Sequence, residues 1–260
     1  MALLKTDVEI EKMRQGGALL SRALQAAVDA VRPGVTMKTL DDIATKMIED
    51  GGGTPSFKGY KGGGSIPFPS TMCISVNDEV VHGIGGRDIV LHEGDIVGLD
   101  IGCWFEGLCT DMACTVPVGS ISKERLMLTR LTRDSMYAGV EAAVIGKKVF
   151  DIGAAVEDAI PNGYGIVKTL VGHGVGHAVH ESPHVPNYRN KKFPVVPIVA
   201  NMCLAIEPMV TTGTDKVKTG KDGWTIVTSD GSDAAHFEVT IATLESGPEI
   251  LTPQPNIKGL

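Results

Sequence analysis

The chain has 260 residues, 43% of them hydrophobic, and its formal net charge is −7 at pH 7. These values are typical of a compact globular protein and exclude a fibrous repeat, so we predict a single domain over residues 1–260. The acidic balance argues against direct recognition of nucleic acid, and no apolar run is long enough to span a membrane. Five cysteines without a C-x-x-C pair favour reduced thiols in a cytoplasmic protein over a disulfide framework.

The N-terminal part of the chain is predicted to be helical. Apolar residues at helical spacing predict one helix over residues 7–31, and a second helix, capped by Thr39, follows a Pro-Gly break within residues 31–50. β-Branched and apolar residues between glycine turns then predict strands within residues 71–84 and 94–119. Helices return over residues 122–144 and 151–160, and strands end the chain. The sequence therefore predicts an α+β fold.

The order of two helices followed by strands occurs twice, with an offset of about 110 residues. Each half ends in predicted strands that carry two carboxylates, Asp100 and Asp111 in the first half and Glu207 and Glu238 in the second. A pseudo-twofold relation between the halves would bring these four acids together at the centre.

Carboxylates are depleted in strands and are seldom buried without a partner or a cation. One such acid could simply face solvent on an alternating strand. Four of them, together with a glycine-flanked histidine, favour a metal site, because bound cations neutralise their mutual repulsion. The spacing of Asp100 and Asp111 also fits a hairpin that places them side by side.

Four of the seven histidines, His173, His177, His180 and His184, lie within residues 170–187. The H-x-x-x-H pair His173 and His177 lacks the glutamate of a zinc peptidase helix, and the interleaved glycines argue against any helix there. The glycines instead predict a close approach of the backbone to a site, with one histidine directed inward.

Six motifs occur in one order along the chain: SVNDEVVHGI, GDIVGLDIG, TDMACT, GHGVG, AIEP and DGWT. In this order the chain resembles the type I methionine aminopeptidases, from about residue 7 to about residue 252. That family has the pita-bread (creatinase/aminopeptidase) fold with two pseudo-twofold related halves. Glu207 follows His173 by only 34 positions, so the chain is similar to the short bacterial form and has no room for a long helical insertion.

The resemblance implies two divalent metal ions: Co, Mn or Fe, with Zn or Ni as further options. It implies that Asp100 binds one ion, that Asp111 and Glu238 bridge both, and that His173 and Glu207 complete the other. Independently, four carboxylates and one imidazole are more ligands than one tetrahedral zinc ion binds, and they suit two ions roughly 3.5–4 Å apart.

The implied activity is removal of the N-terminal methionine from nascent proteins and peptides, with a preference for a small second residue. A water held by both ions would attack the scissile carbonyl, and Glu207 would move protons between that water and the leaving amine. Nascent polypeptide N-termini are the implied partners, an encounter with the ribosome would follow, and we expect a monomer in the cytoplasm.

The same resemblance assigns substrate contacts. His82 and His180 match the two family histidines that contact the substrate amide and carbonyl, and His180 would stabilise the oxyanion. Cys73, Phe68 and Trp224 match the pocket for the methionine side chain, where a thioether contacts soft and aromatic groups.

Two departures from the family pattern bear on this pocket. The stretch GYKGGGSIPFPSTMC, with its glycines at 62–64, is longer than the usual loop, so we expect Tyr60 and Phe57 to be displaced while Phe68 keeps its position. Val179 stands beside His180 where an aromatic is often found, which predicts a thinner wall.

We further expect an extended strand after Gly176. Side chains on a strand alternate, so His177 and His180 would point to opposite faces. The resemblance implies that His180 is the one inside. His177 and His184 are then predicted to be dispensable.

Two alternatives stay open. A proline-specific Xaa-Pro aminopeptidase or dipeptidase shares the fold and metal set, although such enzymes usually carry a large N-terminal domain and only about a hundred residues precede Asp100 here. A non-catalytic binding module of the same fold is the other, although such relatives typically lose metal ligands.

Overall fold

The computed structural model describes residues 4–62, 66–190 and 192–260. The helices in these parts of the chain are α1 (Asp7–Ala30), α2 (Met37–Asp50), α3 (Lys123–Ala142) and α4 (Val149–Asp158). The strands of the first half are β1 (Thr54–Pro55), β2 (Met72–Val76), β3 (Glu79–Val81), β4 (Ile96–Phe105) and β5 (Leu108–Pro117). The strands of the second half are β6 (Gly165–Ile166), β7 (Gly172–Gly174), β8 (Glu181–Val185), β9 (Cys203–Ile206), β10 (Met209–Thr211), β11 (Val217–Thr219), β12 (Ile226–Thr228), β13 (Ala234–His236), β14 (Glu238–Leu244) and β15 (Gly247–Ile250).

The predicted helices are confirmed with small shifts of their ends, and one cap is corrected. Helix α1 begins with a capping box, in which Thr6 accepts from the Glu9 N–H and the Glu9 carboxylate accepts from the Thr6 N–H. Helix α2 is capped by Thr36, so the prediction of Thr39 is wrong. Thr39 already lies in the first turn, where its N–H donates to the Thr36 side chain. None of the described helices is long and apolar enough to cross a membrane.

The main sheet has nine strands, in the order β1-β4-β5-β14-β9-β7-β8 with β2 added to β4 and β15 to β14. Helices α1 and α2 pack together, with α1 over β4 and β5 and α2 against β1 and β2, and α3 packs on α4 and on β9 and β14. Leu99 of β4 and Met112 of β5 belong to the hydrophobic core that includes residues of these helices. Because strand side chains alternate, neighbours such as Asp100 and Asp111 project from the opposite face of the sheet.

The two halves meet where β5 pairs antiparallel with β14. One half contributes the β4–β5 hairpin below α1, and the other contributes the β9–β14 pair below α3, with α2 and α4 packed beside α1 and α3. This repeated arrangement confirms the predicted α+β fold with two related halves. Two three-stranded sheets, β13-β10-β6 and β11-β12-β3, complete the described structure.

Candidate metal centre and adjoining cavity

The strand register brings three acids into one cluster. Asp100 on β4 is paired with Ala113 on β5, and Glu238 on β14 is paired with the same Ala113 from the other side. Asp111 lies two residues along β5, so it projects from the same face as a diagonal neighbour of Asp100. The small Ala113 side chain leaves the space between Asp100 and Glu238 open. The predicted hairpin placement of Asp100 and Asp111 is confirmed.

His173 and Glu207 enter the cluster from the second half. His173 lies on β7, not on a helix, and Glu207 follows the last residue of β9 by one position. The His173 Nδ1 lies 2.9 Å from the Gly174 carbonyl, which can only accept, so Nδ1 carries the proton and Nε2 keeps its lone pair. That Nε2 is 3.3 Å from the Glu207 Oε1. Two acceptors at this distance need a proton or a cation between them.

The carboxylates lack the partners that buried oxygens require. One oxygen each of Asp100, Asp111, Glu207 and Glu238 has no hydrogen-bond partner within the described parts of the chain. Burial raises the pKa of Asp100 to about 7. Burial, reinforced by the charges of neighbouring acids, also raises the pKa of Asp111, Glu207 and Glu238. This is the environment that bound cations would neutralise.

The donor set fits divalent metal ions. Ligand atoms of Asp111, His173 and Glu238 lie within 4.8 Å of one another, and all three residues are buried. Asp100 and Glu207 add carboxylate oxygens on either side. A set of four carboxylates and one imidazole suits divalent cations of the hard and borderline classes. It has more ligands than a single tetrahedral site needs.

An aromatic cavity of about 330 Å³ opens beside this cluster. The predicted pocket residues Phe68, Trp224 and Cys73 all line it, and the Phe68 and Trp224 rings meet edge to face with centroids 5.3 Å apart. Cys73 is paired across β2 and β4 with Asp100, so it joins the cavity to the acids.

Phe57 and Tyr60 also line this cavity, contrary to the expected displacement. The Gly59 N–H donates to the Phe68 carbonyl and the Phe68 N–H donates to the Tyr60 carbonyl, both at 2.8 Å. These two bonds close the segment at its ends, and both aromatics keep their place in the cavity wall. Residues 63–65 of the predicted glycine-rich loop lie outside the described residues. Val179 is buried in a hydrophobic cluster and does not line the described cavity wall.

His180 faces the cavity and His177 does not. The Tyr60 hydroxyl lies 2.6 Å from the His180 Nδ1, and the His180 and His173 rings are 4.3 Å apart. His177 instead contacts Glu9 of α1 at 2.7 Å. The predicted extended strand after Gly176 is wrong, because residues 177–180 form bends and β8 begins only at Glu181. The opposite directions of the two rings therefore arise from the bends.

A second cavity of about 430 Å³ adjoins the first and shares His82, His173, His180 and Glu207 with it. His184 lines only this second cavity. His82 has a backbone φ of 60°, in the left-handed region, which costs a residue other than glycine about 1 kcal/mol. Burial lowers the pKa of His82 to about 4, so its ring is neutral at pH 7.

The sequence interpretation missed His236, which is buried next to the cluster. Its Nε2 lies 4.0 Å from the Glu207 Oε2 and has no hydrogen-bond partner among residues that the structure describes. Burial lowers its pKa to about 3. A signal was present, because His236 precedes Glu238 by two positions in a predicted strand and therefore shares its face.

Comparison with known proteins agrees with this geometry. The model of metallopeptidase family M24 matches residues 11–245. A methionine aminopeptidase of Clostridium acetobutylicum is 46% identical over 97% of this chain and 99% of its own length, and methionine aminopeptidase 1 of Bacillus subtilis is 42% identical over the same shares. The chain belongs to metallopeptidase family M24, among the methionine aminopeptidases.

Solved structures agree with this assignment. The enzyme superposes on methionine aminopeptidase from Thermotoga maritima with a TM-score of 0.92 at 38% identity, covering 98% of this chain and 100% of the other. Prolidase from Pyrococcus furiosus gives a TM-score of 0.76 at 21% identity, covering 98% of this chain and 66% of that one, a likeness of fold alone. The predicted pita-bread fold and the predicted enzyme class are therefore confirmed.

Proposed function

We propose that the five clustered ligands hold two divalent cations and that the enzyme uses them to release N-terminal methionine when the second residue is small. The observation that carries this proposal is the convergence of four carboxylates and one imidazole at one side of an aromatic cavity. Bound cations of this kind polarise a carbonyl and lower the pKa of water. Co, Mn and Fe suit these oxygen-rich ligands, and Zn or Ni are further options.

The positions of the side chains support a division of the ligands. Asp111 and Glu238 lie on the two central strands of the cluster, so they would contact both ions. Asp100, on the outer side of Ala113, would bind one ion. His173 and Glu207, which face each other from the second half, would complete the other.

The cavity wall supports methionine as the residue released. Phe57, Tyr60, Phe68 and Trp224 would surround an unbranched apolar side chain, and contacts between sulfur and aromatic rings stabilise a thioether by about 0.3–1.5 kcal/mol each. The α-amino group would then lie against the acidic cluster. This arrangement favours cleavage after the first residue only.

His180 would stabilise the oxyanion, and Tyr60 would set its tautomer. Burial and the neighbouring His184 lower the pKa of His180, so the ring is neutral at pH 7, while burial raises the pKa of Tyr60 and keeps its hydroxyl protonated. A hydroxyl proton donated to the His180 Nδ1 leaves Nε2–H as a donor toward the developing oxyanion.

His82 and Glu207 would complete the reaction. Both line the cavity and the adjoining one, so both face the peptide bond next to the methionine. The neutral His82 ring would hold the substrate amide. Glu207 would take a proton from the attacking water and pass it to the leaving amine.

The peptide Met-Ala-Ser tests this proposal. Protein supplied with Mn or Co should release methionine from it and should leave an Xaa-Pro peptide intact. Met-Ala peptides should be cleaved far faster than Met-Phe peptides, as the proposed preference for a small second residue requires. Cleavage of the Xaa-Pro peptide alone would favour the prolidase alternative, and cleavage of neither peptide would favour a binding module.

Metal analysis of protein purified without chelator should give two ions per chain. A single catalytic domain, a monomeric state, a cytoplasmic location and an encounter with the ribosome stay predictions. Sedimentation at micromolar concentration would test the monomer.

A further inference from the structure

Gly83, the residue after His82, is hydrogen-bonded to β2 through both its N–H and its carbonyl. The Gly83 N–H donates to the Ser75 hydroxyl at 3.1 Å, and the Gly83 carbonyl accepts from the Ile74 N–H at 2.7 Å. A side chain at position 83 would meet the Ile74 carbonyl at 2.1 Å, so only glycine allows this approach. Between β3 and Gly83, the backbone of His82 takes the left-handed φ of 60°.

Arg87 ties together the segments around the turn at His82 and Gly83. Its guanidinium donates to both carboxylate oxygens of Glu79, each at 2.6 Å, and to the carbonyls of Ile84 at 2.9 Å and Ile74 at 3.0 Å. The Glu79 carboxylate also accepts from the Val76 N–H at 3.0 Å. The two side chains are largely buried, with 22% and 16% exposed. One planar group therefore holds the end of β2, the start of β3 and the turn in a single arrangement.

We propose that Arg87 is a positioning residue for His82. Its guanidinium keeps the turn in the left-handed conformation that directs the imidazole into the substrate cleft. Residues in this conformation persist only where the surrounding structure fixes them. A lysine ammonium cannot bridge two carboxylate oxygens and two carbonyls in one plane. The inference rests on the role proposed above for His82.

The first test is Arg87→Lys in the metal-loaded enzyme with Met-Ala-Ser as substrate. A turn that relaxes by about 1 Å should lower kcat by up to about 100-fold, with KM and metal content little changed. Arg125→Lys is a matched control. Arg125 also makes a bidentate pair, with Asp233 at 2.7 and 2.8 Å, donates to a carbonyl, and is 22% exposed, but its guanidinium hydrogen bonds go to Asp233 and Gly94 and not to the segment around His82. Its variant should keep the wild-type kcat.

A double-mutant cycle separates positioning from a general structural effect. If Arg87 acts through His82, then Arg87→Lys should leave the kcat of the His82→Ala variant unchanged. Glu79→Gln weakens the same contacts from the other side and should reproduce the kcat loss, also only when His82 is present. The Glu79→Gln variant provides a second measurement if thermal unfolding shows that the Arg87→Lys variant folds poorly.

Each outcome decides one point. Wild-type activity in His82→Ala would remove the proposed role of His82 and with it this inference. A loss in His82→Ala together with wild-type kcat in both Arg87→Lys and Glu79→Gln would overturn the positioning role alone. Losses that multiply in the double variant, or an equal loss in Arg125→Lys, would show that Arg87 acts on stability and not through His82.

Discussion

Removal of the metal ions should make this enzyme less stable as the pH rises. Burial raises the pKa of Asp100 from 3.8 to about 7 when no cation neutralises it. A carboxyl group whose pKa is higher in the folded state contributes full stability at acid pH and loses it as the pH rises through the folded pKa. The shift of about three pKa units corresponds to about 4 kcal/mol at most, of which about 2.5 kcal/mol is lost between pH 5 and pH 8.

Urea unfolding of chelator-treated protein at these two pH values measures this loss. The Asp100→Asn variant keeps the size of the side chain but cannot ionise, so its free energy of unfolding should fall less between the two pH values, by up to about 2.5 kcal/mol. Saturating Mn or Co should reverse the trend, because ligand carboxylates must be deprotonated to bind metal. Asp42, which is exposed on α2 and paired with Lys38, provides the control variant Asp42→Asn, which should follow the wild type.

One result would refute this reasoning. If chelated wild type and chelated Asp100→Asn lose stability equally between the two pH values, then the buried Asp100 carboxylate is not the source of the pH dependence.

Three further predictions concern activity. His180→Ala should lower kcat by about 10²–10³-fold with bound metal unchanged, whereas His177→Ala, whose ring contacts Glu9 outside the cleft, should cost little; the reverse pattern in peptide assays and metal analysis would contradict the assignment. Tyr60→Phe removes the hydrogen bond to His180 and should lower kcat by about 10-fold, the equivalent of about 1.4 kcal/mol, while unchanged kcat would show that the tautomer is set elsewhere. Glu238→Ala should empty both metal sites and Asp100→Ala should mainly weaken one, so two tightly bound ions in the Glu238 variant would exclude it as a bridging ligand.

The sequence by itself determined the fold class and indicated which residues are proposed as ligands. Helical periodicity placed the helices, because amphipathic spacing depends only on local order along the chain. The alternation of strand side chains put Asp100 and Asp111 on one face, since a hairpin converts short sequence spacing into proximity. The motifs around His173, Glu207 and Glu238 completed the set, and the comparisons agree with the family they indicate.

Tertiary contacts decided the remainder, because they join segments whose separation follows no periodicity. Backbone hydrogen bonds between Gly59, Tyr60 and Phe68 hold the cavity wall despite the longer loop. The sequence shows the length of this loop but not where its two ends lie in the fold. Bends, not a strand, separate the rings of His177 and His180. Arg87 donates four hydrogen bonds to three residues from three segments, a convergence that exists only once β2 and β3 have folded together.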